Sequence, residues 1–460
     1  MKILLIKPYN LSDHIQPALG LGYLASSLRK DHDVTILDCI KTRIKPEKFR
    51  AVIEKNKPDV AGIQCYTYDL YKIKEMLKEI SGLRITTVLG GPHPSAAPLE
   101  TFEFFGGRLD YIFRGEAEVG FKMLIDKLAG KTDVPLEEIP GLGWRKDGKI
   151  ELNDVRFVED LDDLEMPAWD LIRPKTYPEA QHGAFFKKFP IAPIITTRGC
   201  PYFCTFCAGS LISGRRLRTR TPDNVLDEIK MLYRTRGIRE FHVIDDNFTL
   251  NKNFAKTLLK KLKAENLDIS WSVPNGVRMD TLDDELLELM KDTGLYLISL
   301  GIESGSDRIL RLMRKNITTD EIRQSVARIR KHGIDIAGFF ILGFPGETVE
   351  DIEKTIEFSL ELDLIRANFF TYLPLPGTES YNGLKAAGLL KGIDLKKFYF
   401  MNATFTPEGI GRGTLKALQR KAFMKFFLRP RVMLRNFNEI KSSGHLKFLS
   451  GRFARWMILK

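Results

Sequence analysis

Five cysteines occur in this chain of 460 residues, and Cys200, Cys204 and Cys207 fall within one short run. Their spacing is C-x3-C-x2-C, directly after the apolar, strand-like stretch Ile194-Ile195-Thr196-Thr197. Thiolates hold iron–sulfur clusters, ordinarily four to a cluster. Three close together, with no fourth nearby, point to a four-iron cluster with one iron left for a ligand that is not protein. The competing reading is a zinc knuckle. Structural zinc sites join a C-x2-4-C pair to a second pair of Cys or His, and no second pair stands here. Cys39 and Cys65 each end a strand-like stretch and read as buried structural thiols. Free thiols beside such a motif imply a reducing, anaerobic cytoplasm.

The elements that must position these cysteines follow from the apolar pattern. Short apolar runs at Ile3–Lys7, Val34–Asp38, Val60–Cys65, Thr87–Gly91 and Tyr111–Arg114 alternate with helical patterns. Such alternation predicts a doubly wound parallel sheet, whose ligands bind at the carboxyl ends of the strands. Small and turn-forming residues gather at those ends: Gly20, Thr67, Gly90, Gly91, His93, and Gly115 with Glu116. From Pro193 the alternation resumes with six strand candidates, at 194–197, 241–245, 269–273, 297–302, 336–342 and 368–373. This predicts a partial (β/α)6 barrel with its site at the strands' C-terminal mouth. The cysteines follow its first strand. The expected division is 1–135 for the first domain, 136–188 for a connector, 189–400 for the barrel and 401–460 for a basic, largely helical extension. Within the connector, Pro140–Ile150 reads as a hairpin and the acidic run Glu159–Asp170 as an extended strap. Met1–Lys7 reads as a strand and not a signal peptide, and no apolar run is long enough to span a bilayer.

Polar groups stand at successive barrel strand ends. Asp245 and Asp246 suit a cation, although either also suits a helix N-cap. Arg278 is an expected carboxylate clamp, with a surface salt bridge as its rival. Glu303 and Ser304 follow the fourth strand, and Gly343 lies in Gly343-Phe344-Pro345-Gly346-Glu347 after the fifth.

With its cysteine motif, Phe206, and these strand-end motifs in order, the second half resembles the radical S-adenosylmethionine (SAM) enzymes. The resemblance implies that Cys200, Cys204 and Cys207 hold a [4Fe-4S] cluster and that SAM occupies the open iron. It places Phe206 and Gly343 near the adenine, Asp245 and Asp246 near the SAM amino group, Arg278 near its carboxylate, and Glu303 with Ser304 at the ribose. The first half resembles the cobalamin-binding domain that precedes this barrel in one large subfamily, through Pro17–Ala25, Gly90–Ser95 and Arg114–Glu118. Together the likeness covers roughly residues 1–380. It makes Gly20, Thr67, Gly90, Gly91, His93, Gly115 and Glu116 the expected cobalamin contacts. The D-x-H-x-x-G motif that supplies a lower axial histidine in cobalamin mutases is absent, and His93 reads equally as a turn residue.

The implied activity is C-methylation of an unactivated carbon through a 5′-deoxyadenosyl radical and methylcobalamin. A flavodoxin-type reductase would supply electrons. A radical cyclisation, oxidation or carbon–carbon bond formation without methyl transfer, and a sensor without catalysis, are the rivals. The charge distribution bears on partners. The formal net charge of +12 equals that of Gly411–Lys460 alone, which holds thirteen Lys or Arg and one acid. Aromatic and aliphatic residues interleave with these charges at Phe423–Arg431 and Phe448–Lys460. That composition fits an interfacial helix on anionic lipid or a solvated helical cap on the barrel. The first reading favours a lipid or isoprenoid-like small-molecule substrate and a peripheral place at the inner membrane face. No nucleic-acid module accompanies the basic tail, so no nucleic-acid partner is expected.

Overall fold

The structure, a computed structural model, describes residues 1–10, 15–179 and 186–458. Two parallel sheets organise the chain. The first contains β1 (Lys2–Lys7), β2 (Asp33–Asp38), β3 (Val60–Gln64), β4 (Thr86–Gly90) and β5 (Tyr111–Phe113), all parallel. The hairpin expected in the connector forms β6 (Leu142–Lys146) and β7 (Lys149–Leu152), antiparallel to β5 and to each other. It joins this sheet as an edge, so the sheet runs beyond residue 135. The order is β2-β1-β3-β4-β5-β6-β7. Strands buried on both faces need apolar residues at every position. Leu4, Ile6, Ala61 and Ile63 enter one core with Phe49, Ile73 and Phe102. Their neighbours Ile3, Leu5 and Val60 enter the opposite core with Leu21, Phe121 and Leu124.

The second sheet is β8 (Ile191–Ile194), β11 (Glu240–Val243), β12 (Ser270–Val277), β13 (Leu295–Glu303), β14 (Asp335–Leu342) and β15 (Arg366–Thr371), with β9 (Thr197–Arg198) and β10 (Arg218–Thr219) forming a separate ribbon. Its six strands are parallel and lie in chain order. This is the expected partial barrel. The helices between them start at capping residues the sequence supplies. Thr221, Asn251, Asp283, Thr318 and Thr348 each accept a backbone N–H of the first turn, worth about 1 kcal/mol apiece.

The acidic strap crosses the first helix, Leu19–Leu28. Ser26 donates to Met166 O at 2.6 Å, and Arg29 holds Asp170 at 2.6 and 2.8 Å. A Cβ on Gly22 would sit 2.3 Å from the end of the Ile172 side chain and 3.1 Å from Pro167 Cβ, so a larger residue would make the strap shift.

The first aromatic stretch of the basic tail departs from one of its two expected uses. Helix Arg412–Phe427 packs on β15, the open barrel edge, with Leu415, Leu418, Ala422 and Phe426 buried. Phe423 and Phe426 meet the Phe369 ring at 5.3 and 6.1 Å, and Gln419 donates to Phe369 O at 2.8 Å. Lys421 and Lys425 pair with Glu353 and Glu357, each at 2.6 Å. The stretch Phe423–Phe427 is therefore a barrel cap and not an interfacial helix. The side chains of Arg452–Lys460, most of the second expected segment, lie outside the described residues. Among the described residues no helix is long and apolar enough to cross a membrane.

Candidate active site

The cysteine loop is closed at its base by the β9–β10 ribbon, in which Arg198 faces Arg218. Gly199 follows with φ +92°, and a Cβ there would stand 2.2 Å from the Arg216 carbonyl oxygen. The Cys200 N–H donates to Gly214 O, and Thr205 N–H ties the loop to Met313 O at 3.0 Å. Cys200 and Cys204 are half-buried and Cys207 is exposed on one side. The Gly209 N–H donates to Cys207 Sγ at 3.4 Å. Burial first, then the neighbouring cysteines and Asp246, raise the Cys200 thiol and push Cys207 up to about 11. A coordinated metal reverses this by favouring the thiolate. Three free thiols on one loop, with an N–H donated to one sulfur, fit an iron–sulfur cluster. Gly199→Ala is expected to displace the loop. Iron retained after anaerobic reconstitution should fall several-fold, and full retention would show that the backbone yields there.

The expected SAM contacts divide. Asp246 is exposed, accepts the Gly199 N–H at 3.2 Å and so faces the cysteine loop. Asp245 is engaged within the fold. It is buried and accepts from Thr196 N at 2.7 Å, Thr196 Oγ1 at 2.5 Å and Thr197 Oγ1 at 3.0 Å, locking the end of β8. Burial pushes its carboxyl up to about 6. Ser304 is likewise structural, fully buried 3.0 Å from Thr355 Oγ1. Gly343 gives its N–H to Glu347 and takes φ +80° under Leu415, so it shapes the turn. Phe206 is half-buried with its ring edge-on to Phe344, centroids 6.5 Å apart.

Glu303 sits at a bulge between β13 and β14 with φ +66°, a conformation rare for a side-chain-bearing residue and a mark of functional sites. Its Oε1 lies 2.9 Å from Lys315 Nζ, both groups nearly buried. Gly301 leaves the room, because a Cβ there would meet both atoms within 2.7 Å. Lys315 had no signal in the sequence beyond its charge, since it lies on a loop between two helices. Arg278 already has a carboxylate partner, Asp280 at 2.9 Å, and donates to Lys315 O at 2.9 Å while lying 3.8 Å over the Tyr202 ring. It thus joins the cysteine loop to the end of β12 and to the loop that carries Lys315.

At the edge of the first sheet, Gly20 is exposed with no atom within 4 Å of a Cβ position, and Gly90 and Gly91 are half-exposed. Backbone left open along this edge fits a ligand held through its amides. Thr67 Oγ1 lies 3.0 Å from His93 Nδ1. Burial lowers His93 to about 4, so it is neutral at pH 7. Sequence reasoning passed over Tyr66 and Tyr68, stacked at 5.2 Å, and the buried Asp69 beside them, which burial pushes up to about 7. A Tyr-x-Tyr-Asp run at a strand end was the available signal.

Gly115 takes φ +68° and donates to Ser95 Oγ at 2.9 Å. Glu116, an expected cobalamin contact, has arginine partners. It bonds Arg218 at 2.7 and 2.8 Å and lies 3.3 Å from Arg198, while Glu118 takes the Arg198 guanidinium at 2.8 Å. Arg198 also lies 5.0 Å over Tyr23. These buried ions clamp the two sheets together at the stem of the cysteine loop. The short helix Pro92–Ala96, after β4, packs on Gly209–Ser213, after the cysteines. The C-terminal edges of the two sheets therefore face each other.

Comparison with known proteins agrees with this arrangement. Residues 12–125 match the B12 binding domain family and residues 194–359 the radical SAM superfamily. The uncharacterized methyltransferase PH0819 of Pyrococcus horikoshii is 34% identical over 449 residues, 95% of each chain. This chain belongs to the radical SAM superfamily. The cytidylyl-2-hydroxyethylphosphonate methyltransferase of Streptomyces wedmorensis is 28% identical to this radical SAM protein, over 82% of this chain and 80% of its own. The solved structure of the cobalamin-dependent SAM radical enzyme OxsB, with aqua-cobalamin and SAM bound, superposes with a TM-score of 0.77. It is 17% identical and matches 100% of this chain and 71% of its own, a likeness of fold. The protein is a radical SAM enzyme that also carries a B12 binding domain.

Proposed function

We propose that this enzyme transfers a methyl group to an unactivated carbon of an apolar small molecule held between the two facing sheet edges. The observation that carries this is the packing of Pro92–Ala96 on Gly209–Ser213, which sets the open backbone of the first sheet opposite the cysteine loop. When bound, the cofactors supply reductive cleavage of SAM and the methyl group. The protein's own residues then have distinct tasks. Cys200, Cys204 and Cys207 hold the cluster, and Asp246 receives the SAM ammonium. Phe206 covers the adenine. Glu303, held in place by Lys315, takes the ribose hydroxyls.

An aromatic wall supports the apolar substrate. Phe339, Phe370 and Phe400 follow one another at 6.1 and 5.1 Å, partly exposed, and Tyr399 continues the series at 6.2 Å from Phe400. Apolar rings left open beside a site favour an apolar ligand. A lipid or isoprenoid-like substrate and a flavodoxin-type electron donor belong to this reading.

The test uses anaerobic enzyme with its cluster and cobalamin, dithionite, and SAM bearing a deuterated methyl group, added to an apolar extract of its source cells. A product heavier by the labelled methyl, absent without enzyme, is expected. SAM cleavage with only unlabelled products would replace the proposal with a radical reaction that transfers no methyl group.

A further inference from the structure

The helix Pro430–Asn438 is amphipathic with its polarity reversed. Its buried side carries Val432 with Arg431 and Arg435 beside it, which reach Asp363 at 3.0 and 3.5 Å. At 3.6 residues per turn, Met433, Leu434 and Phe437 share the opposite side, and they are 52, 66 and 71% exposed. Leu428 before it and Leu446 on the following helix, Ser443–Ile458, are also exposed. A lone exposed apolar residue needs no explanation, but three large ones on a single helix face mark a contact surface. Lys441 and Lys447 beyond this helix are exposed, whereas Arg429, Arg431 and Arg435 are engaged with Leu360 O and Asp363, and the one acid of residues 428–447 is Glu439. That acid is bonded to Lys187 at 2.5 Å.

We propose that Met433, Leu434 and Phe437, with the exposed Lys441 and Lys447 that follow them, dock the enzyme on an anionic lipid surface. Large apolar side chains of an amphipathic helix enter the boundary between headgroups and acyl chains, and Lys and Arg meet the anionic headgroups. The high exposure of each apolar residue describes a ridge and not a groove, which suits a deformable lipid interface. Like charge opposes a second copy of the same face. The ridge lies outside the aromatic stretch Phe423–Phe427, whose residues the barrel occupies, and it stands independently of the proposed methyl transfer.

Full-length reconstituted enzyme would be centrifuged with sucrose-loaded vesicles of phosphatidylcholine, with or without phosphatidylglycerol. Binding to the anionic vesicles is expected to exceed that to neutral ones by about tenfold or more and to fall in high salt. The combined Met433→Ser, Leu434→Ser and Phe437→Ser variant should lose it with its urea midpoint unchanged or raised, because these side chains support no core. The Lys441→Glu, Lys447→Glu variant should lose only the preference for anionic lipid. Absence of wild-type binding, equal binding to both vesicles, or undiminished binding by the serine variant would overturn the proposal. So would sedimentation velocity showing a wild-type dimer that the serine variant dissolves, which would assign the face to a second copy.

Discussion

Replacing Cys200, Cys204 and Cys207 together by alanine removes about four irons per chain and abolishes reductive cleavage of SAM. The folded structure should survive, because the thiols are at most half-buried and no core depends on them. The loop is held instead by the β9–β10 ribbon, by Thr205 bonded to Met313 O, and by Gly199 bonded to Asp246. Iron analysis, the absorption of the reconstituted protein and release of 5′-deoxyadenosine measure the effect, with the urea midpoint as the control for folding. Zinc retained at one per chain in the wild type, or cleavage of SAM by the triple variant, would refute the cluster assignment.

Arg198→Met is expected to destabilise the enzyme by about 3 kcal/mol. Arg198 is nearly buried between Glu118 and Glu116. Arg218 still answers Glu116, but Glu118 loses the guanidinium that holds it. Burial pushes the Glu118 carboxyl up. The charge and hydrogen bond of Arg198, with backbone N–H donors, outweigh that and keep it below its usual range. A carboxyl held low in the fold binds fewer protons there than in the unfolded chain. Its stabilisation is therefore complete above the ordinary glutamate value, near 4.5, and fades as pH falls through the lower folded value. The gap between wild type and Arg198→Met should accordingly be full at pH 7 and narrow in acid. Adding Glu118→Leu to the variant removes the stranded charge and should restore much of the loss, because a buried ion pair replaced whole costs little. A double variant as unstable as the single one would mean that Arg198 acts through packing on Tyr23 and not through charge.

The strands of both sheets were legible because parallel strands, buried on two faces, leave short continuous apolar runs bounded by turn residues and alternating with longer helical patterns. Their ends moved by a few residues at most, as at β12, where pairing extends through Val277. The hairpin Leu142–Leu152 was visible as a hairpin but not as the edge of a sheet, since its partner β5 is far back along the chain. Side-chain roles were less legible. Asp245 and Asp246 are neighbours of one chemical type, and in an extended segment adjacent side chains point to opposite sides. One locks β8 and the other faces the cysteines, a choice made by the position of Thr196.

Glu116 had a place beside Gly115 at a strand end and therefore looked like a ligand-binding residue. Its partners, Arg198 and Arg218, belong to the other sheet, and only docking of the two sheets made it a clamp. Lys315 became partner to Glu303 for the same kind of reason. The basic tail carried its charge openly in the sequence, but periodicity could not say which apolar residues β15 would cover. The amino-acid sequence by itself determined the two alternating α/β halves, the three-thiol chemistry and the family, because these rest on local spacing. The tertiary structure alone decided which carboxylates are structural, how the two sheet edges confront one another, and which face of the tail is left to solvent. Those depend on contacts between residues far apart in the chain, which no local pattern encodes.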